Sequence, residues 1–372
     1  MNNNISNKIK ELKNSPIFNM SLSSKELFHS NFWKWLIDLD NNFIKVFFPN
    51  FNNEILEVKR EEKNRDITIH ITENKKLLYV IENKIKSMPT KEQLDKYEEK
   101  IHEDKKTFEG ILTGLETPNF IKECKNWNFI SYKNIGENIK NILNTVKDKI
   151  NNNFYCQIIL EYADMIINLN SVINEISKEV GNQLICEDSK SIKLLKDIRF
   201  DDVFKKLKAD NFCNYLTQNI KNELQAYING TGYEIKIWPS FSNGSAIIDV
   251  RFIKDDKTIN EIHIGIQIQG KQFRRCCQIR GKNVQCKDAY DKYKNAGWLV
   301  QFKKDKQISF NGKLSATGME KEFCKYESGV GDDRYHHVYQ YYYITDYSFE
   351  NLKNNILQDM KYAVEIIKQN KI

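Results

Sequence analysis

The most informative hydrophobic pattern in the chain is a pair of β-type runs separated by a short polar turn. From Arg65 to Ile71 polar and apolar residues alternate, which is the period of a strand with one buried face. The run from Leu77 to Lys84 is more uniformly apolar and predicts a more central strand. Residues 72–76 between them have an ordinary loop length, so the two runs predict an antiparallel hairpin.

Three charged side chains come together if this hairpin forms. Folding the chain near Asn74 brings Asp66 opposite the segment from Glu82 to Lys84. Glu82 and Lys84 share a strand face because they are two residues apart. A shift of one residue in the pairing would turn Asp66 to the other face, and the pattern leaves the register open. Two carboxylates and a lysine at a strand end predict a site for Mg²⁺ or Mn²⁺, which prefer carboxylate and water ligands.

The Glu-x-Lys triplet carries little information by itself, because it occurs nine times in this chain. Only the copy at Glu82 closes an apolar strand that pairs back onto a strand bearing an Asp. It also precedes a predicted helix whose N-cap is Thr90. Gln93 and Tyr97 are four residues apart, so they lie on one face of that helix. The context of the triplet therefore carries the prediction.

Taken together, these residues resemble the motifs of the PD-(D/E)xK nuclease superfamily. Asp66 matches the motif Asp, and Glu82–Lys84 matches E-x-K. Gln93–Tyr97 resembles the Q-x-x-x-Y motif of the RecB-like branch, whereas Arg65 replaces the Pro that gives the superfamily its name. The resemblance implies an α/β fold with a restriction-endonuclease-like αβββαβ core and metal-dependent cleavage of phosphodiester bonds.

The resemblance also implies catalytic and metal-binding roles. Asp66 and Glu82 would bind Mg²⁺ or Mn²⁺, and Lys84 would orient or deprotonate the attacking water or contact the phosphate. Glu26, in the first helix of the core, is the expected accessory carboxylate of the catalytic and metal site. His29 is the candidate for the metal-binding His of some RecB-like members.

Glu26 and His29 also have structural interpretations. Glu26 is at capping-box spacing from Ser23, so it could be a capping partner only. His29 could be a hydrogen-bonded helix residue. The predicted buried face of this helix carries Phe28, Phe32, Trp35, Leu36 and Leu39, which follow helical spacing.

Two further groups of residues are candidates for substrate binding. Gln93 and Tyr97 would position a DNA strand beside the metal; the alternative is that Gln93 caps the helix and Tyr97 packs. Lys271, Arg274 and Arg275 belong to a basic segment that could track phosphates, with a solvated loop as the alternative.

The pattern divides the chain into two domains. Residues 1–185 predict a PD-(D/E)xK nuclease-like domain with a helical extension. Residues 186–372 predict an α+β domain for substrate or partner recognition, with a mostly antiparallel sheet. Its predicted strands are Tyr233–Trp238, Ala246–Phe252, Glu261–Gln269, Gly297–Phe302 and Tyr335–Thr345. Asp249 followed by Gln267–Gln269 echoes the first hairpin, which makes a decayed second copy of the core a minor hypothesis.

Composition and charge restrict the partners only weakly. A formal charge of +7 over 372 residues permits nucleic-acid binding without requiring it. The sequence has neither an apolar run of about 18 residues nor a signal-peptide core at its start, so we expect a cytoplasmic protein without a membrane span. It lacks a Gly-x-x-x-x-Gly-Lys-Ser/Thr motif, so a motor would be a separate chain.

The sequence therefore predicts a metal-dependent DNA nuclease, and the resemblance places it in bacterial defence or DNA repair. DNA is the expected partner, with RNA as an alternative substrate. A second copy of the chain and a separate motor or defence subunit are further partners left open. The competing hypothesis is a catalytically inactive nuclease fold that binds nucleic acid or a protein.

Overall fold

The computed structural model describes most of the 372-residue chain. The described residues are 3–22, 25–184, 189–242, 245–254, 262–280, 291, 294–299, 324–328 and 335–369. The chain forms two compact units. The first unit comprises Met1–Glu179 with Lys193–Val203, and the second comprises Val180–Ile192 with Phe204–Ile372.

The helices and strands of the first half alternate as in the predicted core. In chain order they are α1 (Asn3–Asn14), α2 (Pro16–Ser21), α3 (Lys25–Leu39), β1 (Ile55–Glu62), β2 (Arg65–Ile71), β3 (Leu77–Lys84), α4 (Lys91–Glu103), β4 (Thr107–Gly114), β5 (Trp127–Ser131), α5 (Tyr132–Ile150) and α6 (Asn153–Val180).

The sheet of the first unit has five strands in the order β1-β2-β3-β4-β5. Strands β1, β2 and β3 pair antiparallel, whereas β4 is parallel to both β3 and β5. The helix α4 connects the parallel strands β3 and β4, as a crossover between parallel strands requires. The mixed α/β fold and the order of helix, three strands, helix and strand confirm the predicted αβββαβ core.

The hairpin of β2 and β3 is more deeply buried than its alternating pattern predicts. The apolar residues Ile67, Ile69 and Ile71 are buried as expected. Thr68, predicted on the polar face, is also fully buried. The reason is that the sheet is covered on both faces, as is usual where parallel strands are joined through a helix.

Helices α3 and α4 lie on opposite faces of this sheet. Leu94, Tyr97 and Ile101 of α4 pack in one cluster with Leu78 and Val80 of β3. The side chain of Asn83, at an odd-numbered position of the same strand, bonds to α3 instead. Because successive side chains of a strand point to opposite faces, Asp66, Glu82 and Lys84 share the face of α4.

The buried stripe of α3 differs from the predicted one. The fully buried side chains are His29, Ser30, Trp33, Leu36 and Ile37, whereas Phe28, Phe32, Trp35 and Leu39 are half-buried. A neutral imidazole and a hydroxyl with hydrogen-bond partners can enter a core, so polarity alone misassigned the face. Ser23, the other half of the expected capping box, lies outside the described residues.

The second half of the chain contains helices, strands and a final helix. Its elements are α7 (Lys190–Asp197), α8 (Asp201–Ile228), β6 (Glu234–Ser242), β7 (Ser245–Lys254), β8 (Ile262–Gln269), β9 (Gln272–Arg280), β10 (Cys324–Ser328), β11 (Tyr335–Tyr343) and α9 (Phe349–Lys368). In the part of the chain that the structure describes, no helix is long and apolar enough to cross a membrane.

The sheet of the second unit has the order β10-β11-β9-β8-β7-β6, and every neighbouring pair is antiparallel. One face packs against α8 and α9 through residues such as Phe212, Val250, Ile266 and Met360. This topology, without the parallel pair of the first sheet, argues against a second copy of the nuclease core.

Two sequence-based expectations in this region need correction or restriction. The basic segment from Gln272 to Arg280 is the strand β9 and not a loop, because its apolar residues Phe273 and Cys277 alternate into the core. Of the predicted strand Gly297–Phe302, residues 297–299 form a turn, and 300–302 lie outside the described residues.

Candidate metal and catalytic site

The pairing of β2 with β3 sets Asp66 and Glu82 side by side. Ile67 is opposite Ile81 in the antiparallel ladder. The next position toward the end of β3 holds Glu82, and the matching position on β2 holds Asp66. Residues directly opposite in an antiparallel pair project from the same face. The register therefore places both carboxylates on the face of the sheet that α4 covers.

Three side chains converge on a single oxygen of Glu82. Its Oε1 lies 2.7 Å from Nζ of Lys84 and accepts a hydrogen bond of 2.9 Å from Nε2 of Gln93. The hydroxyl of Tyr97 lies 3.3 Å from the same oxygen. Both Gln93 and Tyr97 come from the face of α4 that is turned toward β3, so the helix fixes the orientation of the carboxylate.

The second oxygen of Glu82 has the opposite environment. Oε2 is buried and has no hydrogen-bond partner among the described residues. The residue as a whole is only 2% exposed. Buried polar atoms are almost always paired, and an unpaired carboxylate oxygen is especially unfavourable. An additional positive ligand at Oε2 would compensate this cost.

Burial also changes the protonation of the pair. It raises the pKa of Asp66 to about 7, and the neighbouring Glu82 carboxylate adds to the effect. The hydrogen bond of 2.7 Å that the backbone N–H of Asn83 donates to Oδ2 of Asp66 acts in the other direction. Burial raises the pKa of Glu82 as well, although Lys84 opposes the shift. Two acids with raised pKa values side by side form a site that a cation would stabilise.

Lys84 is held as a cation at this site. Burial by itself would lower the pKa of its amine, but the attraction and hydrogen bond of Glu82 outweigh burial, so the pKa is raised. Its side chain is 11% exposed. Lys84 therefore presents a protonated amine beside the carboxylates at neutral pH.

Glu26 contacts the segment that follows β3. Its Oε1 accepts hydrogen bonds from the backbone N–H groups of Lys86 at 3.1 Å and of Ser87 at 2.8 Å. The hydroxyl of Ser87 donates a third bond of 2.6 Å to the same oxygen. Glu26 thus anchors the turn after β3, and its charge acts on both Asp66 and Lys84. Among the described residues, no three His, Cys, Asp or Glu side chains form a cluster that could hold a metal.

The structure does not bring His29 to the carboxylates. Its Nδ1 shares a hydrogen bond of 2.8 Å with the hydroxyl of Tyr162, and its ring packs edge-on against Tyr132. Burial lowers the pKa of His29 to about 3, so the ring stays neutral. His29 is a hydrogen-bonded core residue in this structure, as its structural interpretation expected, and we leave it out of the ligand set.

Gln93 and Tyr97 lie behind Glu82 and do not form an exposed surface. Thr90 caps α4 by accepting a hydrogen bond from the backbone N–H of Gln93, which leaves the Gln93 side chain for Glu82. The same amide donates a bond of 2.8 Å to the hydroxyl of Tyr97, which in turn donates to the carbonyl of Asn64. Burial raises the pKa of Tyr97 to about 12.

The three basic candidates of the second unit have different environments. Arg275 is 1% exposed and forms a two-pronged ion pair with Asp359 at 2.7 and 2.9 Å inside the core. Arg274 donates hydrogen bonds to Gln267 and Gln272 and lies over the ring of Tyr339. Lys271 is exposed at the turn before β9. Arg275 is therefore a structural residue, because its guanidinium cannot reach a phosphate from the core.

The sequence reasoning missed two residues of this neighbourhood, Asn83 and Ser87. Asn83 is fully buried and its side chain bonds on the face opposite Glu82. Ser87 is the hydroxyl donor to Glu26. The sequence does contain a sign of the role of Asn83, because it is a polar residue at the end of an apolar strand and its side chain is on the face that should be buried.

The donor set suits a hard divalent cation. Asp66 and Oε2 of Glu82 supply two carboxylates, and Mg²⁺ is typically bound through one or two carboxylates with waters and substrate phosphates completing the shell. The unpaired Oε2 is the observation that fits such an ion. With the remaining positions left to water and phosphate, a third protein carboxylate is not needed.

The comparisons with known proteins agree with this geometry. Residues 16–164 match the family model of the PD-(D/E)XK nuclease superfamily. Neither the curated proteins nor the solved structures gave a significant match. The matched segment begins in α2, ends within α6 and includes every residue around the carboxylate pair. The N-terminal part of this chain, residues 16–164, is therefore similar to the PD-(D/E)XK nuclease superfamily.

Proposed function

We propose that the first unit is a metal-dependent nuclease that hydrolyses phosphodiester bonds in DNA. The match to the superfamily suggests a nuclease in general. The observation that carries the proposal is the asymmetry of Glu82: among the described residues, Lys84 and Gln93 bind Oε1, whereas the buried Oε2 has no donor. A purely structural carboxylate would be expected to have both oxygens satisfied.

Asp66 and Glu82 are the proposed ligands of Mg²⁺ or Mn²⁺. A divalent ion bound there would lower the pKa of a bound water and would compensate negative charge on the phosphate. The protein contributes the fixed orientation of Glu82, through the donors on α4, and of Asp66, through the backbone of Asn83. Such partners of metal ligands are a recurrent requirement for tight binding.

Lys84 is the proposed catalytic lysine. Because its pKa is raised, the amine acts as a cation and hydrogen-bond donor, not as a base. It can orient a water or bind a phosphate oxygen, both of which favour the attack. Glu26 is the proposed accessory residue, and it acts by holding the turn from Lys86 to Ser87 against the site.

DNA is the proposed substrate, and bacterial defence or DNA repair is the proposed setting on the resemblance alone. The test is incubation of the full chain with circular DNA, linear DNA and RNA, each with and without Mn²⁺. We expect cleavage of DNA that requires Mn²⁺ and is lost in Asp66→Ala and Lys84→Ala. Cleavage of RNA but not of DNA would mean that the substrate is RNA. DNA binding that needs no metal and leads to no cleavage would favour an inactive binding module.

A matched control uses a second copy of the same triplet. Glu98, Glu99 and Lys100 repeat the Glu-x-Lys pattern on the exposed part of α4. Lys100→Ala removes the same functional group outside the proposed site and should leave cleavage unchanged. If Lys84→Ala and Asp66→Ala cleave DNA as well as Lys100→Ala does, the assignment of Lys84 and Asp66 to the active site is wrong.

A further inference from the structure

We infer that Asn83, the middle residue of the Glu-x-Lys triplet, is the positioning residue of the metal site. This inference rests on the proposed function and extends it to a residue with no contact of its own to the substrate. Asn83 is fully buried, and its side chain bonds to α3, β4 and α5. The residue thereby links the site to three elements of the scaffold.

The amide nitrogen of Asn83 forms hydrogen bonds with the beginning of α3. Nδ2 donates a hydrogen bond of 2.8 Å to the backbone carbonyl of Glu26 and a longer one of 3.4 Å to the hydroxyl of Ser30. The side chain of the same Glu26 accepts the three bonds from Lys86 and Ser87. The first turn of α3 is thus held on both sides by the segment from residue 83 to 87.

The amide oxygen of Asn83 forms hydrogen bonds with two other elements, β4 and α5. Oδ1 accepts hydrogen bonds from the hydroxyl of Tyr132, at the start of α5, and from the hydroxyl of Thr113 on β4 at 3.3 Å. Tyr132 and Thr113 are both fully buried. Their bonds are therefore shielded from competition with water, and satisfied buried networks hold a single geometry.

The backbone of Asn83 transmits this placement to the carboxylates. Its N–H donates the bond of 2.7 Å to Oδ2 of Asp66. Its two peptide bonds lead directly to Glu82 and Lys84, whose side chains leave the opposite face of the strand. A small rotation of Asn83 would therefore move its N–H away from Asp66 and would shift the side chains of Glu82 and Lys84 at the same time.

An amide is suited to this position for a chemical reason. It offers donors to α3 and an acceptor to α5 and β4 at once. An Asp at this position would lack the donors and would add a third negative charge near Asp66 and Glu82. An Ala would leave the hydroxyl of Tyr132 buried without its partner and would remove one of the donors to the carbonyl of Glu26.

The experiment measures Mn²⁺ binding directly, by calorimetry on the full chain, together with thermal unfolding in the absence of metal. Asn83→Ala should weaken Mn²⁺ binding by about 10- to 100-fold, the range typical for residues that orient metal ligands. Tyr132→Phe removes one hydroxyl and keeps the ring, so we expect a smaller loss of Mn²⁺ affinity than in Asn83→Ala. This milder variant decides the question if Asn83→Ala does not fold.

Asn170 provides the matched control. It is also fully buried, and it links Lys133 and Leu115 through bonds of 2.8 and 2.9 Å that do not reach β2 or β3. Asn170→Ala should lower the unfolding temperature while leaving the Mn²⁺ dissociation constant unchanged. This control shows whether a general loss of stability is enough to weaken Mn²⁺ binding.

The outcomes distinguish the inference from the proposed function. Mn²⁺ binding that depends on Asp66 but is equally tight in wild type, Asn83→Ala and Tyr132→Phe would overturn the positioning role and leave the metal site intact. A wild-type chain that binds no Mn²⁺ would overturn the proposed function, and the inference with it. Weakened binding in Asn83→Ala with normal binding in Asn170→Ala supports the inference.

Discussion

Nζ of Lys84 lies 2.7 Å from Oε1 of Glu82, so the amine and the acid of the Glu-x-Lys triplet form a largely buried ion pair. The same oxygen also accepts the bond from Gln93 on α4, and Oε2 has no partner among the residues that the structure describes. One oxygen of this carboxylate is therefore bound by the protein, and the other is available to a cation.

The first prediction separates metal binding from chemistry at Lys84. Lys84→Ala should reduce Mn²⁺-dependent DNA cleavage by about 10²- to 10⁴-fold, the range for a positioned group that assists proton transfer or charge stabilisation. Mn²⁺ should still bind, because Asp66 and Glu82 are unchanged. Single-turnover cleavage and Mn²⁺ calorimetry on the same preparation measure the two effects. Loss of Mn²⁺ binding with the fold intact would assign Lys84 to the metal site instead.

The second prediction concerns the pH dependence of stability at Asp66. Its pKa is about 7 in the folded chain against an ordinary value of 3.8. Between these values the folded chain holds the proton more tightly than the unfolded chain, so the free energy of unfolding falls as the pH rises from about 4 to 7. Without metal, Asp66→Asn should therefore raise the unfolding temperature at pH 8 and change it little at pH 4.

Calorimetric unfolding at the two pH values checks this directly, with EDTA present. Adding Mn²⁺ at pH 8 should stabilise the wild type and not Asp66→Asn, because only the native site binds the ion. An Asn variant that is less stable than wild type at pH 8 would mean that the charged Asp66 is already well compensated without metal.

The third prediction assigns Gln93 and Tyr97 to Glu82 and not to the DNA strand. Gln93→Ala removes a donor to Oε1 of Glu82, and Tyr97→Phe removes the hydroxyl that accepts the other hydrogen bond of the Gln93 amide. We expect each to weaken Mn²⁺ binding by about tenfold or more, while the affinity for DNA without metal stays unchanged. Unchanged Mn²⁺ binding with weakened DNA binding would restore the expectation from the sequence that these residues position the substrate.

The fourth prediction distinguishes the basic residues of β9. Arg275→Ala leaves the charge of Asp359 buried without its partner, which should cost about 3–5 kcal/mol of unfolding free energy. Lys271→Ala is at an exposed turn and should change stability by less than about 0.5 kcal/mol. Urea denaturation of both variants is the measurement. A small effect at Arg275 would mean that the core tolerates the unpaired carboxylate.

Much of the first unit follows from its local pattern. The runs that end at Ile71 and Lys84 matched β2 and β3 residue for residue, because alternation, turn length and burial all favour one hairpin. The register was open in the sequence. In the structure it is the one that puts Asp66 beside Glu82, since a slip by one residue would move Ile67, Ile69 and Ile71 away from the face where they are buried.

The remaining features depend on partners that are distant in the chain. His29 entered the core because Tyr162, on α6, supplies its hydrogen bond, and no pattern near residue 29 contains that information. Arg275 likewise depends on Asp359, which is 84 residues away. Asn83 collects its partners from α3, β4 and α5, so its role is visible only after the fold has assembled.

Anomalous scattering from a crystal soaked with Mn²⁺ tests the metal site most directly. We expect a peak within ligand distance of both the Asp66 carboxylate and Oε2 of Glu82, with Oε1 still bonded to Lys84 and Gln93. A chain that cleaves DNA with Mn²⁺ while its anomalous peak lies elsewhere, or a chain with no peak at saturating Mn²⁺, would contradict this expectation.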